Sequence, residues 1–361
     1  MASFSDVNDI DILYSRLQKL VDHLPDLENN DLIHQALMTV LQIAAGQADR
    51  LDWKILSASL QDLEKGFETF HPYRHVRKIS IFGSARIPSD SPEYQLAIAF
   101  ARCVVEQGFM VMTGAGGGIM EAGNQGAGAE KSFGLNIQLP FEQGANPFIT
   151  HNDKLIDFKY FFTRKLFFLR ETDAIALFPG GFGTQDEAFE CLTLIQTGKS
   201  APIPLVLIDK PGGTYWSEWD AYIKKNLADR GLINPDDRNL YMITDDLATA
   251  CSAISDFYRV YHSSRYVGDR FVIRLNQTLS EAELTTLNQQ FSDILLSGQI
   301  ETCAALPEES QMPQPHQTQD ATEHLPRLIF HFNQRDHGRL YQMIRVLNQM
   351  GQKADKHPER K

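Results

Sequence analysis

The sequence is poor in cysteine, in long apolar runs and in net positive charge, and each shortage excludes something. Its four cysteines, Cys103, Cys191, Cys251 and Cys303, are widely spaced and form no CxxC pair. That pattern disfavours a zinc site or a disulfide framework and suits a reducing cytosol. No apolar run reaches the roughly 18 residues of a membrane span. The stretch MASFSDVNDIDILYS carries acids where a secretory signal would carry basic residues, so the expectation is a cytoplasmic protein with no membrane contact. Lys and Arg number 34 against 46 Asp and Glu, a formal net charge of −12. Such a surface repels nucleic acid as well as anionic membrane, and an anionic ligand has to be held by a local device. A small phosphate ester meets that condition; duplex DNA does not.

Two motifs are also absent. There is no GxGxxG after a strand, which argues against NAD or FAD, and no glycine loop ending in Gly-Lys-Ser/Thr, which disfavours NTP hydrolysis. No internal repeat of roughly 20–50 residues is present.

What is there divides the 361 residues into three stretches. Residues 1–72 read as helices, with Leu13, Leu17, Leu20 and Leu24, and later Trp53, Leu56, Leu60, Leu63 and Phe67, at helical spacing. This predicts a helical extension that packs on a neighbouring domain or a partner subunit. From Lys78 short apolar runs alternate with helical patterns: KISIFG, FMVMTG, GLNIQL, KLIDF, AIALFP and PLVLID. Near-continuously apolar strands alternating with helices predict an α/β, Rossmann-like, doubly wound parallel sheet over residues 73–262. Residues 263–361 predict a small C-terminal α/β module: FVIRL, a helix opened by the capping box Ser280–Glu283, LIFHF and a last helix. Within it the polar, proline-bearing stretch 307–324 reads as a flexible linker.

Three glycine-rich elements follow strands, the position at which open α/β sheets bind ligands. Gly83-Ser84-Ala85-Arg86 is a tight turn with a hydroxyl and a guanidinium, suited to a phosphate or a ribose and equally to a plain strand–helix turn. Thr113-Gly114-Ala115-Gly116-Gly117-Gly118 frees backbone N–H groups at a helix start; close packing and ligand contact explain its glycines equally well. Pro179-Gly180-Gly181-Phe182-Gly183-Thr184 carries the strongest signal. Its glycines allow the turn, the helix N-terminus favours a phosphate, and Thr184 adds a hydroxyl. Asp186 and Glu187 follow at once. Acids in a first turn stabilise a helix by about a few tenths of a kcal/mol. An acid beside a phosphate cradle nevertheless repels the ligand unless it serves the adjoining sugar, which gives Glu187 a functional reading. Arg164-Lys165 stands near the start of the preceding helix, where the dipole disfavours cations, so something anionic should compensate.

Together these motifs resemble the LOG (Lonely Guy) family of nucleotide phosphoribohydrolases, whose members were often misnamed lysine decarboxylases. PGGFGTQDE resembles the family's PGGxGTxxE, and Thr163-Arg164-Lys165 its Arg-Lys pair, with Arg164 23 residues before Glu187. TGAGGGIMEAGNQGA and GLNIQLPFEQ are similar to the longer bacterial subgroup, and the resemblance covers about residues 76–260. It implies hydrolysis of the N-glycosidic bond of a nucleoside 5′-monophosphate, AMP or a cytokinin riboside monophosphate, to free base and ribose 5-phosphate. Arg164 and Glu187 match the family's catalytic pair. Lys165, Gly180, Gly181, Phe182, Gly183, Thr184 and Thr193 match nucleotide-binding positions, and Glu142 in LPFE corresponds to a further substrate-binding acid. Gly83, Ser84, Arg86, Gly116 and Gly117 complete the expected nucleotide site. Asp186 stands where many members have Glu. The resemblance further implies no metal or organic cofactor, and a homodimer or larger homo-oligomer. A different class of function, a non-catalytic nucleotide sensor, would use the same loop without needing the acid. Lysine decarboxylation finds no support, since no feature calls for a pyridoxal Schiff-base lysine.

Overall fold

In a computed structural model the described residues are 29–138, 144–311 and 322–354, with Ile12, Ser15, Arg16 and Lys19 before them. The chain forms two compact units, Met1–Gln61 and Asp62–Lys361. In the first, helix α1 (Asn30–Ala45) buries none of its residues. Helix α2 (Arg50–Phe70) begins there, and its buried residues, Asp62, Gly66 and Phe70, all belong to the second unit.

The second unit is built on a seven-stranded parallel sheet in the order β4-β3-β2-β1-β5-β6-β7. Its strands are β1 (Lys78–Phe82), β2 (Met110–Thr113), β3 (Ser132–Ile137), β4 (Leu155–Phe158), β5 (Ala174–Leu177), β6 (Leu205–Ile208) and β7 (Met242–Thr244). The four central strands β2, β1, β5 and β6 are buried at every position, because helices cover both faces. One face packs α3 (Pro92–Glu106), α4 (Ile119–Ala127) and α8 (Leu247–Phe257) around Ile79, Ile81, Phe100, Ile119 and Ile254. The other packs α5 (Phe161–Glu171), α6 (Phe182–Gln196) and α7 (Tyr215–Ile223) around Phe133, Phe158, Phe167, Leu177 and Trp216. Local chemistry sets the helix starts: Ser91 accepts a hydrogen bond from Tyr94 N at 3.2 Å, and Pro92 occupies the first turn of α3.

Strand order reverses between β1 and β5. The first four strands step away from β1 in one direction, and the chain then returns to lay β5 against its other side. That switch point opens a crevice beyond the carboxyl ends of β1 and β5, where ligands bind in open α/β sheets. The Rossmann-like reading of the sequence therefore holds.

The C-terminal part adds a four-stranded antiparallel sheet, β10-β11-β9-β8, made of β8 (Tyr261–Val267), β9 (Arg270–Leu275), β10 (Leu295–Cys303) and β11 (Arg327–Phe332). Helices α9 (Glu281–Phe291) and α10 (His337–Ala354) accompany it. Ser280 and Glu283 form the expected capping box. Two sequence expectations differ from the structure. The segment read as a linker starts with a short 3-10 turn, Pro307–Gln311, whose Glu309 is buried between Arg274 (2.6 Å) and Arg327 (2.7 Å). A carboxylate between two guanidiniums fixes a stretch that composition alone marks as loose. The cysteines, whose spacing disfavoured a disulfide framework, include one disulfide, between Cys103 on α3 and Cys251 on α8. These residues lie 148 positions apart, and only the packing of α3 against α8 brings their Cα atoms to 6.5 Å.

Candidate active site

The three glycine loops converge at the switch point. Ser84 N donates to Pro179 O at 3.1 Å, and Ile119 N donates to Ser84 O at 3.1 Å, tying the first loop to the third and to the second. Several glycines are demanded by this contact. A Cβ at Gly83 would fall 2.7 Å from Ile119, one at Gly118 would strike Ser84 O, and one at Gly180 would strike Thr184 and reach Ser84 N at 3.0 Å. Gly118 also has φ +60°, which favours glycine. Gly116 faces Met120, whereas Gly117 leaves ordinary van der Waals room. Gly181 and Gly183 face open space, and Phe182 between them is 97% exposed. At these two positions packing does not explain the glycines.

Helix α6 starts on this loop, and no side chain caps it. Its first N–H groups are therefore available to an anion. Tyr215 holds the loop from below: its hydroxyl donates to Gly180 O at 2.5 Å and accepts from Gln185 Nε2 at 2.6 Å. Ser84 Oγ accepts from the Arg86 amide at 3.1 Å, and the Arg86 side chain is exposed at the same rim. The second loop is set by a buried amide network. Asn146 Nδ2 donates to Ala115 O and Gly116 O, each at 3.1 Å, and to Asn124 Oδ1 at 2.9 Å, which also accepts from Thr113 Oγ1 at 2.7 Å.

Because α6 begins at Phe182, Asp186 and Glu187 lie in its second turn, so favourable interaction with the helix N-terminus explains them less well than the sequence suggested. Glu187 is 8% exposed, and its Oε2 is buried without a hydrogen-bond partner. Lys165 stands against it, with Nζ 3.8 Å from Glu187 Oε1, 2.6 Å from Asp186 Oδ2 and 2.5 Å from Glu190 Oε2. Burial pushes the Glu187 carboxyl up to about 7; Lys165 and Arg164 pull it down, and Glu190 and Asp186 push it up again. Lys165 is held firmly protonated by Asp186 and Glu190 in spite of its own burial. Arg164 donates from Nε to Leu135 O at 2.7 Å, lies 5.2 Å over the Phe168 ring, and points its guanidinium at Gly114, where a side chain would collide with it.

Lys165, near the start of α5, is compensated by the carboxylate trio on α6. Asp62, a buried carboxylate of α2, fixes the turn that leads into α5: it accepts from Lys159 N (3.1 and 3.0 Å), Tyr160 N (3.3 Å) and Thr163 Oγ1 (2.6 Å).

Of the residues singled out in the sequence, Gly83, Ser84, Arg86, Gly116, Gly117, Arg164, Lys165, Gly180–Thr184, Asp186 and Glu187 gather around this crevice. Thr193 does not join them: it lies more than two turns along α6, exposed, with its hydroxyl bonded to Phe189 O at 2.7 Å. Glu142 lies outside the described residues. The sequence reading missed Asp62, Asn146, Glu190 and Tyr215. Only Glu190 left a signal, one helical turn after Glu187 on the same face. Among the described residues no group of three His, Cys, Asp or Glu could hold a metal ion, and no helix is long and apolar enough to cross a membrane.

Residues 112–254 match a family model described as "Possible lysine decarboxylase". Three solved structures are similar to this chain over 50% of its length. They are the X-ray structure of the structural-genomics target TM1055 (23% identity, 98% of that chain, TM-score 0.36), the molybdenum cofactor carrier protein of Chlamydomonas reinhardtii (18%, 96%, 0.35) and DNA processing protein A of Helicobacter pylori (13%, 81%, 0.33). No curated protein matches the sequence. The matched stretch holds the glycine loop and the Arg-Lys pair, and the match is consistent with the resemblance to the LOG family, whose members were often misnamed lysine decarboxylases.

Proposed function

We propose that the protein hydrolyses the N-glycosidic bond of a nucleoside 5′-monophosphate, releasing the base and ribose 5-phosphate. The observation that carries this reading is Glu187: a buried carboxylate with an orphan oxygen, next to an open glycine loop at an uncapped helix N-terminus. The loop amides and the Thr184 hydroxyl receive the 5′-phosphate, and that remote binding energy positions the ribose over Glu187. As the bond between C1′ and the base nitrogen breaks, positive charge grows on the sugar. Ionised Glu187 stabilises that charge and draws a proton from the water that attacks C1′ on the face opposite the base. The bonding electrons leave with the base, which takes up a proton. Arg164, anchored through Leu135 O, is placed to hold the ribose or to assist the departing base. Lys165 keeps Glu187 from rising further and so maintains a useful carboxylate fraction near neutrality.

Incubation with AMP, other nucleoside monophosphates and a cytokinin riboside monophosphate, followed by chromatography of the bases, tests the reading. Base release by the wild-type chain, and retained AMP binding without release by Glu187→Gln, are expected. A wild-type protein that binds AMP yet frees no base from any of them would place it with nucleotide sensors instead.

A further inference from the structure

A cavity of about 1040 Å³ opens within the second unit, between α5, residues 199–203 and strand β8. In a chain of net charge −12, its lining is markedly cationic. Arg74, Arg77, Lys199 and Arg265 line it with the carboxylate Asp173. Three further lining cations are already paired: Arg274 with Glu309 (2.6 Å), Arg170 with Glu171 (2.8 Å), and Lys165 with Asp186 and Glu190 (2.6 and 2.5 Å). We propose that this cleft is a second ligand site, distinct from the glycine loop, which takes a small polyanion bearing a chain of phosphates.

Three observations carry the assignment. First, Arg74, Lys199 and Arg265 donate no side-chain hydrogen bond and form no ion pair with any described residue, although Arg265 is half-buried. Second, Arg77 lies 3.4 Å over the Tyr258 ring and donates from Nη2 to His262 O at 3.4 Å, while its Nη1 is buried with no partner. A buried guanidinium nitrogen left open calls for an acceptor that the protein itself does not provide. Third, cations crowd one another here. His262 is pushed down to about 4 by burial and then by Arg77, Arg274 and His324. Arg265 is lowered by burial and by Arg274, against a smaller opposing pull from Glu309. Like charges gathered in a half-enclosed, low-dielectric cleft repel one another, and a bound polyanion relieves that repulsion. A cavity of about 1040 Å³ has room for more than a single phosphate, and a chain of phosphates offers an acceptor to several of these cations at once.

The cleft reaches the candidate active site through Lys165 and Glu190, whose ion pair forms a shared wall. Glu190 lies about 12 Å along α6 from Phe182, by the rise of about 1.5 Å per residue, so the two anion sites are separate. Binding in the cleft does not depend on the proposed hydrolysis.

Titration calorimetry on the full chain tests the site, with inorganic tripolyphosphate and ATP as probes. Tripolyphosphate is expected to bind, more weakly as KCl is raised, and at least tenfold more weakly to the double variant Arg265→Ala/Lys199→Ala. The exposed variant Arg74→Glu gives an independent loss of several-fold, with thermal stability checked in parallel. Thr184→Val, which touches the glycine loop, leaves tripolyphosphate affinity unchanged. ATP binding tenfold tighter than tripolyphosphate identifies a nucleoside-bearing ligand; equal affinities identify the phosphate chain alone. No binding of either probe, or binding lost in Thr184→Val and kept in the Arg265/Lys199 variant, would overturn the proposal.

Discussion

Glu187 is costly to keep ionised, and that cost has a sign. Its folded-state pKa, about 7, lies well above that of an ordinary glutamate, so between the two the native state holds more protons than the unfolded chain. Stability attributable to this residue is therefore present at low pH and lost as pH rises through 7, by about 3 kcal/mol. Glu187→Gln should accordingly melt above the wild type at pH 8 while the two melt close together at pH 5; a constant difference across that range would refute the account. Activity runs the opposite way. If the carboxylate is the working form, kcat/KM should fall about tenfold per pH unit below 7. Lys165→Met removes the strongest influence that lowers the Glu187 pKa, so the acid limb should move to higher pH as well as losing height. A limb that stays in place would show that Lys165 acts on the substrate alone.

At the scale of elements, the glycine loop divides into positions that build it and positions that use it. Gly180→Ala puts a methyl group onto Thr184 and Ser84, and overpacking of this kind costs about 1–3 kcal/mol in a urea melt. Gly181→Ala meets open space at φ −86° and should leave stability within about 0.5 kcal/mol. It should raise KM for AMP several-fold, because the added methyl stands where the backbone approaches the phosphate. Equal effects of the two substitutions on stability would contradict this division. Asp62→Ala should cost about 1–3 kcal/mol and lower kcat, since it leaves Lys159 N, Tyr160 N and the Thr163 hydroxyl without their buried acceptor at the entry to the helix that presents Arg164 and Lys165. The loop and the Arg-Lys pair were legible because glycine spacing and charge at a helix start are local properties. Asp62, Asn146 and Tyr215 were not. Each works on a partner about 30 or more residues away, and nothing near Asp62 in the sequence distinguishes it from a solvated helix carboxylate.

At the scale of the whole molecule, the alternation of apolar runs and helices gave the parallel sheet, because strands buried on both faces must be apolar throughout. It missed β7, three half-buried residues at the sheet edge, and β8, whose YHSSRY has little apolar character. It read the C-terminal residues as a small module, a regulatory or dimerisation domain or a cover for the core sheet, and the packing joins that module to the α/β core in one unit, Asp62–Lys361. Ile195 of α6, Leu240 and Phe257 share a single apolar cluster with Phe271, Phe330 and Leu340. Tyr341 exchanges hydrogen bonds with both Ile203 O (2.8 Å) and Ile203 N (2.9 Å). Asn348 accepts from Val260 N and Tyr261 N at 2.8 and 3.0 Å, and donates to Phe257 O at 2.7 Å.

The tryptophans give a direct test of whether that unit unfolds cooperatively. Trp216 and Trp219 report on the α/β core, the C-terminal stretch has none, and Trp53 can be silenced by substitution with Phe. Phe330 is 2% exposed on β11, and Phe330→Ala should cost about 3–5 kcal/mol through the cavity it leaves. If residues 62–361 unfold together, that loss appears in full in the urea midpoint of Trp216 and Trp219 fluorescence, coincident with the far-ultraviolet circular dichroism transition. If the antiparallel sheet unfolds by itself, the tryptophan midpoint stays at the wild-type value while the circular dichroism curve splits in two. The shared cluster and the Tyr341 and Asn348 bonds favour coincidence, because loosening β11 withdraws packing from Phe257 and Ile195, and Ile195 lies on the same helix that carries Glu187.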